Sequence, residues 1–258
     1  MCEGKEQLLV LPFLNAGKHL DTPKTKRVKP FLLAMQLLRE FLGTTLFLTC
    51  AYAVSACGAF GAMEVAAGHG LALACAAFVF GCDANPMVSL TALVVRRLPS
   101  ELNIAKQVIH FILLLVVQLL ATVVATATVA YGFTCPIVDA VPTIGAGYGY
   151  VSALVVELFF TAFLIIVAVS RRSGSESSDA ARPLMIGLVL LSGVLTTGGI
   201  SGCSVNPLRA LGPSMFSGFP AQAWLYYIGP FIGAVVASIF VRFVDEFPRK
   251  KSRVVRRD

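Results

Sequence analysis

Residues 201–213 read SGCSVNPLRALGP. An Asn-Pro pair and an arginine, Arg209, stand here between two long apolar runs, and the reading of this stretch decides the fold. Asn is among the best N-cap residues and Pro suits the first helical position, so Asn206-Pro207 starts a helix wherever it lies. At a water-exposed surface that is an ordinary loop end. At membrane depth it is a half-helix carrying a cation that hydrocarbon does not solvate, which marks a functional site.

Composition settles the depth. The chain has 258 residues, 57% hydrophobic and 14% charged, against roughly 25% charged in a soluble domain. It is an integral membrane protein. Residues 1–30 are mixed polar and basic and the first apolar run starts at Phe31, so no amino-terminal signal peptide is expected. The seven cysteines lack CxxC spacing. Cys50, Cys57 and Cys75 fall in apolar segments, where a small buried hydrophobe is the expected role. Neither a disulfide framework nor a metal site is expected. Nothing forms a nucleophile–base set or a phosphate loop, so no enzyme and no cofactor is expected.

Crossing a bilayer takes about 20 apolar residues. Six runs qualify, near 31–54, 64–82, 107–131, 149–170, 183–202 and 222–244. Two shorter ones, 86–95 and 207–217, are each about half a span, and each opens on Asn-Pro. With six spans, every Lys and Arg but one falls on the face that carries both termini: Lys5 to Arg39, Arg96 to Lys106, Arg171 to Arg182 and Arg242 to Arg257. The positive-inside rule makes that face cytoplasmic. The net charge of +7 is thus a topology signal that also suits anionic lipid, and no nucleic-acid partner is expected. Arg209 alone is left over.

The two halves repeat. REFLGTTLF at 39–47 and VELFFTAFL at 156–164 each place a glutamate, Glu40 or Glu157, four residues before a threonine. Each half then has a Gly-led run (GLALA from Gly70, GLVLL from Gly187), then NPMVSLTALV or NPLRALGPSM. Three spans and a half-span per half force the second copy to insert upside down, and interrupted segments in matching positions point to the site. The reading is all-α, with six transmembrane helices and two half-helices in an inverted repeat. The expected units are a basic amino-terminal segment (1–30), a first repeat (31–135), an extracytoplasmic loop (136–148), a second repeat (149–244) and a basic tail (245–258). The half-helices meet near the midplane with their positive ends together, which repels cations and protons.

These residues resemble the aquaporin (major intrinsic protein) family over about 31–244, most closely in SGCSVNPLRALGPSMF and WLYYIGPFIGAVVAS. The resemblance implies a right-handed bundle, a homotetramer of independent pores in the lipid bilayer, and a motif of Asn85, Pro86, Met87 and Asn206, Pro207, Leu208. It implies a selectivity filter of Val194, Cys203, Arg209 and, in the second span, His69, or Val65 if the first half has no gap. It gives Glu40 and Glu157 the task of holding irregular backbone. Gly187 stands 19 residues before Asn206 and Gly70 only 15 before Asn85, so the first half is expected to lack four residues ahead of its Asn-Pro. Met87 and Leu208 replace the family's usual alanines, and Asp83 is unusual. Ala210 after the filter arginine and the pair Tyr226-Tyr227 favour water. Ammonia, hydrogen peroxide and urea are further candidate solutes. The alternatives are a glycerol or polyol facilitator and a poorly conducting structural protein.

Overall fold

A computed structural model describes residues 30–95, 103–169 and 180–254, with side chains to 244. Residues 1–29, Arg96, Arg97, most of the serine-bearing loop after Val169 and residues 255–258 lie outside those residues. The helices described are α1 (Pro30–Ala56), α2 (Ala62–Phe80), α3 (Pro86–Val94), α4 (Ile104–Ala127), α5 (Tyr150–Val169), α6 (Arg182–Ser201), α7 (Pro207–Ser217) and α8 (Leu225–Val254). Six of them, all but α3 and α7, are long and apolar enough to cross a membrane. Each lies close to its expected span, although α8 runs on past 244 to Val254. The face on which α1 begins and α8 ends is called here the terminal face, and the opposite one the far face.

The molecule is apolar outside and polar within. Phe78, Val151 and Ile239 are among many large apolar side chains exposed on the surface, while Glu40, Thr44, His69, Gln118, Glu157 and Arg209 are buried. Water would not tolerate that exterior; a bilayer does. α2 packs against α6, α1 against α2 and α4, and α5 against α6 and α8. The short helices fill the space between: α3 lies on α4, α5 and α8, and α7 lies on α4 and α8. Arg242 of α8 donates to the carbonyl of Val94 at 2.7 Å, a cation at the C-terminus of α3.

Two expectations need correction. The first half is not shortened before its Asn-Pro. α2 ends on Gly81 (φ 62) and α6 on Gly202 (φ 78), both left-handed caps. Counting the cap glycine, four residues stand ahead of the asparagine in each case, Gly81–Ala84 and Gly202–Val205. The error lies in equating Gly70 with Gly187. A Cβ on Gly70 would lie 2.6 Å from the carbonyl oxygen of Gly187, and one on Gly187 would meet that of Gly70. The two glycines are therefore contact partners where α2 crosses α6, not counterparts in two copies. Counting back from the asparagines pairs Gly187 with Ala66.

The second correction is a disulfide, Cys57–Cys135, with Cα atoms 5.0 Å apart. Cys57 continues the apolar run in sequence, but α1 stops at Ala56 and Cys57 is exposed on the far face. Cys135 follows a π-helical turn, Thr128–Gly132, that carries α4 to the same face. Seventy-eight residues separate the pair, so no local spacing betrays it.

Candidate functional site

The two lead-ins to the half-helices hang from the two buried glutamates. Glu40 accepts from the backbone N–H of Asp83 (2.9 Å) and Ala84 (2.8 Å) and from Gln118 Nε2 (2.7 Å). Glu157 accepts from the N–H of Ser204 (2.8 Å) and Val205 (2.7 Å) and from Ser201 Oγ (2.8 Å). Hydrocarbon offers these amides nothing, so a carboxylate inside the bundle takes the place of water. Each glutamate thereby supports a left-handed residue just before the asparagine, Ala84 (φ 49) or Val205 (φ 46). For a β-branched residue such as Val205 that conformation is strained, and its surroundings must hold it there.

That geometry aims two carbonyls across the midplane. Asn85 Nδ2 donates to the carbonyl of Val205 at 3.0 Å, and Asn206 Nδ2 to that of Ala84 at 2.8 Å. Each asparagine's Oδ1 caps its own half-helix, accepting from Met87 N or Leu208 N at 3.0 Å. A side-chain amide carries two N–H groups, and among the described residues each Nδ2 makes one bond. One N–H per asparagine thus remains without a partner among the described residues. Pro86 and Pro207 stand at the first helical position, where no N–H is needed. Met87 packs half-buried against the core and Leu208 is buried in it.

On the terminal side of the asparagines lies a slender cavity of about 20 Å³, walled by Phe47, Leu73, Val88, Leu164, Ile186 and Leu190 and reaching Asp83, Asn85 and Asn206. Holding a water takes roughly 10–15 Å³ on this measure. Asp83 Oδ2 accepts from Ser89 Oγ at 2.6 Å.

On the far side, α7 presents Arg209 and α2 presents His69. His69 Nδ1 lies 2.8 Å from the carbonyl of Val65, one turn back, and Nε2 lies 3.2 Å from Arg209 Nε. A carbonyl only accepts and a guanidinium only donates. The ring therefore carries its proton on Nδ1 and accepts through Nε2. Although the first half has no gap, which by residue count points to Val65, it is His69 that meets Arg209, while Val65 supplies the carbonyl that orients the ring. Val194 and Cys203 are buried nearby, and a Cβ on Gly193 would lie 2.9 Å from Cys203 Sγ, so the thiol packs on α6 beside Val194. Arg209 Nη1 is buried with no hydrogen-bond partner among the described residues.

Sequence reasoning missed the groups that complete these networks. Gln118 bridges Glu40 and Ser89, Tyr52 Oη donates to the carbonyl of Leu208 at 3.0 Å, and Tyr226 Oη to that of Ser201 at 2.9 Å. The available signal was a glutamine within an otherwise apolar span; the tyrosine bonds have no sequence mark.

The comparisons agree with this architecture. The profile of the family described as Major intrinsic protein matches residues 27–241. Aquaporin A of Dictyostelium discoideum is 30% identical over 85% of this chain and 81% of its own length. Aquaporin-7 of Botryotinia fuckeliana is 31% identical over 80% of this chain, which spans only 48% of that longer relative. Among solved structures, the aquaglyceroporin from Plasmodium falciparum superposes with a TM-score of 0.65, covering 83% of this chain and 96% of that one at 20% identity, a likeness of fold. The chain belongs to the major intrinsic protein family, whose members are membrane channels and not enzymes.

Proposed function

We propose that the protein is a passive water channel that excludes protons and ions, with ammonia, hydrogen peroxide and urea as secondary solutes. Its filter is His69, Val194, Cys203 and Arg209, and its midplane is the Asn85–Asn206 pair. The observation that carries this reading is the contact between His69 Nε2 and Arg209 Nε. Two pore walls joined by one hydrogen bond are parted by a molecule that donates to the imidazole and accepts from the guanidinium. Water does both in the smallest volume, and a three-carbon polyol has to spread the pair much further. A buried N–H without an acceptor costs about 1–3 kcal/mol, and a water passing Arg209 Nη1 removes that cost. Arg209 and the two half-helix N-termini repel hydronium and metal cations.

The assembly that goes with this reading is a homotetramer of independent pores. Both termini face the cytoplasm. Two independent features support that orientation: the basic residues crowd the terminal face, and the disulfide lies on the far one, as suits an oxidising compartment.

The test is stopped-flow light scattering on proteoliposomes, with an impermeant osmolyte and then with glycerol and urea. Fast water flux with negligible glycerol flux supports the reading. Fast glycerol entry replaces it with a polyol facilitator. Water flux no greater than that of empty liposomes, from folded protein, overturns the channel reading.

A further inference from the structure

We propose that the Cys57–Cys135 disulfide and the far-face segment it anchors are positioning elements for the filter. The inference rests on the filter assigned above and names what holds Arg209 in place. On its polar side the guanidinium makes one described bond, to His69, and Nη1 makes none. Its placement therefore depends on the backbone wall behind it.

That wall can be followed residue by residue. Just after Cys135, the turn Ile137–Ala140 buries Ile137 and Ala140 against α1 and against α7, the half-helix that carries Arg209. Pro142 comes next and packs on Gly202: a Cβ there would lie 3.1 Å from Pro142 Cβ and 3.8 Å from Arg209 Nη1. The proline and the guanidinium thus both lie on the side of Gly202 that a side chain would occupy, and Gly202 opens the lead-in to Cys203. Further on, Gly145 N–H donates to the carbonyl of Ile200 at 3.0 Å. Gly145 sits so tightly on the Gly199 carbonyl that any side chain would collide with it. The segment is therefore seated on the end of α6, on the Gly202 turn and on α7 together.

The disulfide fixes where this segment starts, by joining it to the end of α1. Without that bond the segment is held to its neighbours by one described backbone hydrogen bond, the buried side chains of Ile137, Ala140 and Pro142 and the Gly145 contact, and a loop on so few contacts opens at lower cost than the packed helices. The Gly202 wall then gives way, and Arg209 loses the backing that keeps it against His69. The consequence is a loss of selectivity rather than of fold.

The test compares wild type with Cys57→Ser/Cys135→Ser in proteoliposomes, and wild type before and after an impermeant phosphine reductant. Reduction is verified by mass spectrometry of alkylated thiols. We expect glycerol entry relative to water flux to rise several-fold in the variant and in reduced wild type, and the variant to ignore the reductant. A second readout does not need conduction: the alkylation rate of Cys203 by iodoacetamide, measured after the phosphine is removed and read on its own peptide, should also rise several-fold. Both are judged on protein whose thermal midpoint and oligomer size match wild type. If verified loss of the disulfide leaves the glycerol-to-water ratio and the Cys203 rate unchanged, the inference is overturned. If the variant does not fold, reduced wild type decides. Wild type that conducts no water sinks the channel reading instead, and the alkylation rates still judge this one.

Discussion

Gly81–Ala84 and Gly202–Val205 each hand a spanning helix over to an asparagine, and each hangs from one buried glutamate through two backbone amides. Each ends in a left-handed residue whose carbonyl takes the opposite asparagine's amide. Their side chains diverge. Asp83 in the first accepts from Ser89 Oγ at 2.6 Å, whereas its counterpart Ser204 donates to the carbonyl of Asn206 at 3.1 Å, and both border the same apolar cavity. Beyond the second lies the His69–Arg209 pair, and among the described residues nothing of that kind lies beyond the first. The difference separates two demands. Starting a helix at mid-membrane depth constrains backbone and acceptor, so both copies keep them. What lines the lumen answers to the solute, so the copies are free to differ, with an acid on one side of the asparagines and a base on the other.

The comparison can be broken, or sharpened, by experiment. The largest effect is expected at the shared element. Glu157→Leu strands two amides and a hydroxyl, each costing about 1–3 kcal/mol when buried unpaired, so the fall should exceed about 3 kcal/mol. Glu40→Leu should behave alike. Thermal unfolding in detergent reads both, and a wild-type midpoint for either would break the account of the shared backbone. Next comes the element peculiar to the far half. Arg209→Val should raise urea and glycerol entry several-fold with water flux maintained, as stopped-flow scattering would show; unchanged selectivity would remove Arg209 from the filter. Cys203→Ser should abolish most of the block by mercurials applied from the far face, and undiminished block would mean the thiol does not border the path. The smallest effect belongs to Asp83→Ser, which makes the lead-ins alike and takes an acceptor from Ser89. It should cost about 1 kcal/mol and leave glycerol exclusion intact. A glycerol leak there would mean that the terminal half also selects.

Most of the fold was legible in the sequence because bilayer thickness and hydrogen-bond supply leave few options. Apolar runs of span length, two Asn-Pro starts and the placement of basic residues led to six spans and two half-helices. The half-helix starts at Pro86 and Pro207 coincide with expectation. Misreading came where one residue type serves two purposes. Gly70 and Gly187 look like a repeated motif, yet they are small because each faces the other's carbonyl. Cys57 looks like the end of an apolar run, but the helix has already stopped, and its partner is distant in sequence. The site was legible by residue type rather than by contact. Arg209 stood out as a charge at depth and His69 came only from the family resemblance, whereas their mutual bond depends on a helix crossing that no local pattern encodes.

The bonds that cross the midplane, Asn85 to Val205 and Asn206 to Ala84, also order events during synthesis. When the ribosome has made α5, Asn85 and Ala84 are already in the membrane, but the groups they bind are not yet translated. The first half must wait with its floor incomplete, and an N–H and a carbonyl without partners in hydrocarbon cannot settle as they do in the finished protein. α7 is therefore the closing piece. A nascent chain interrupted before it lacks both of the bonds that join the two halves at the midplane.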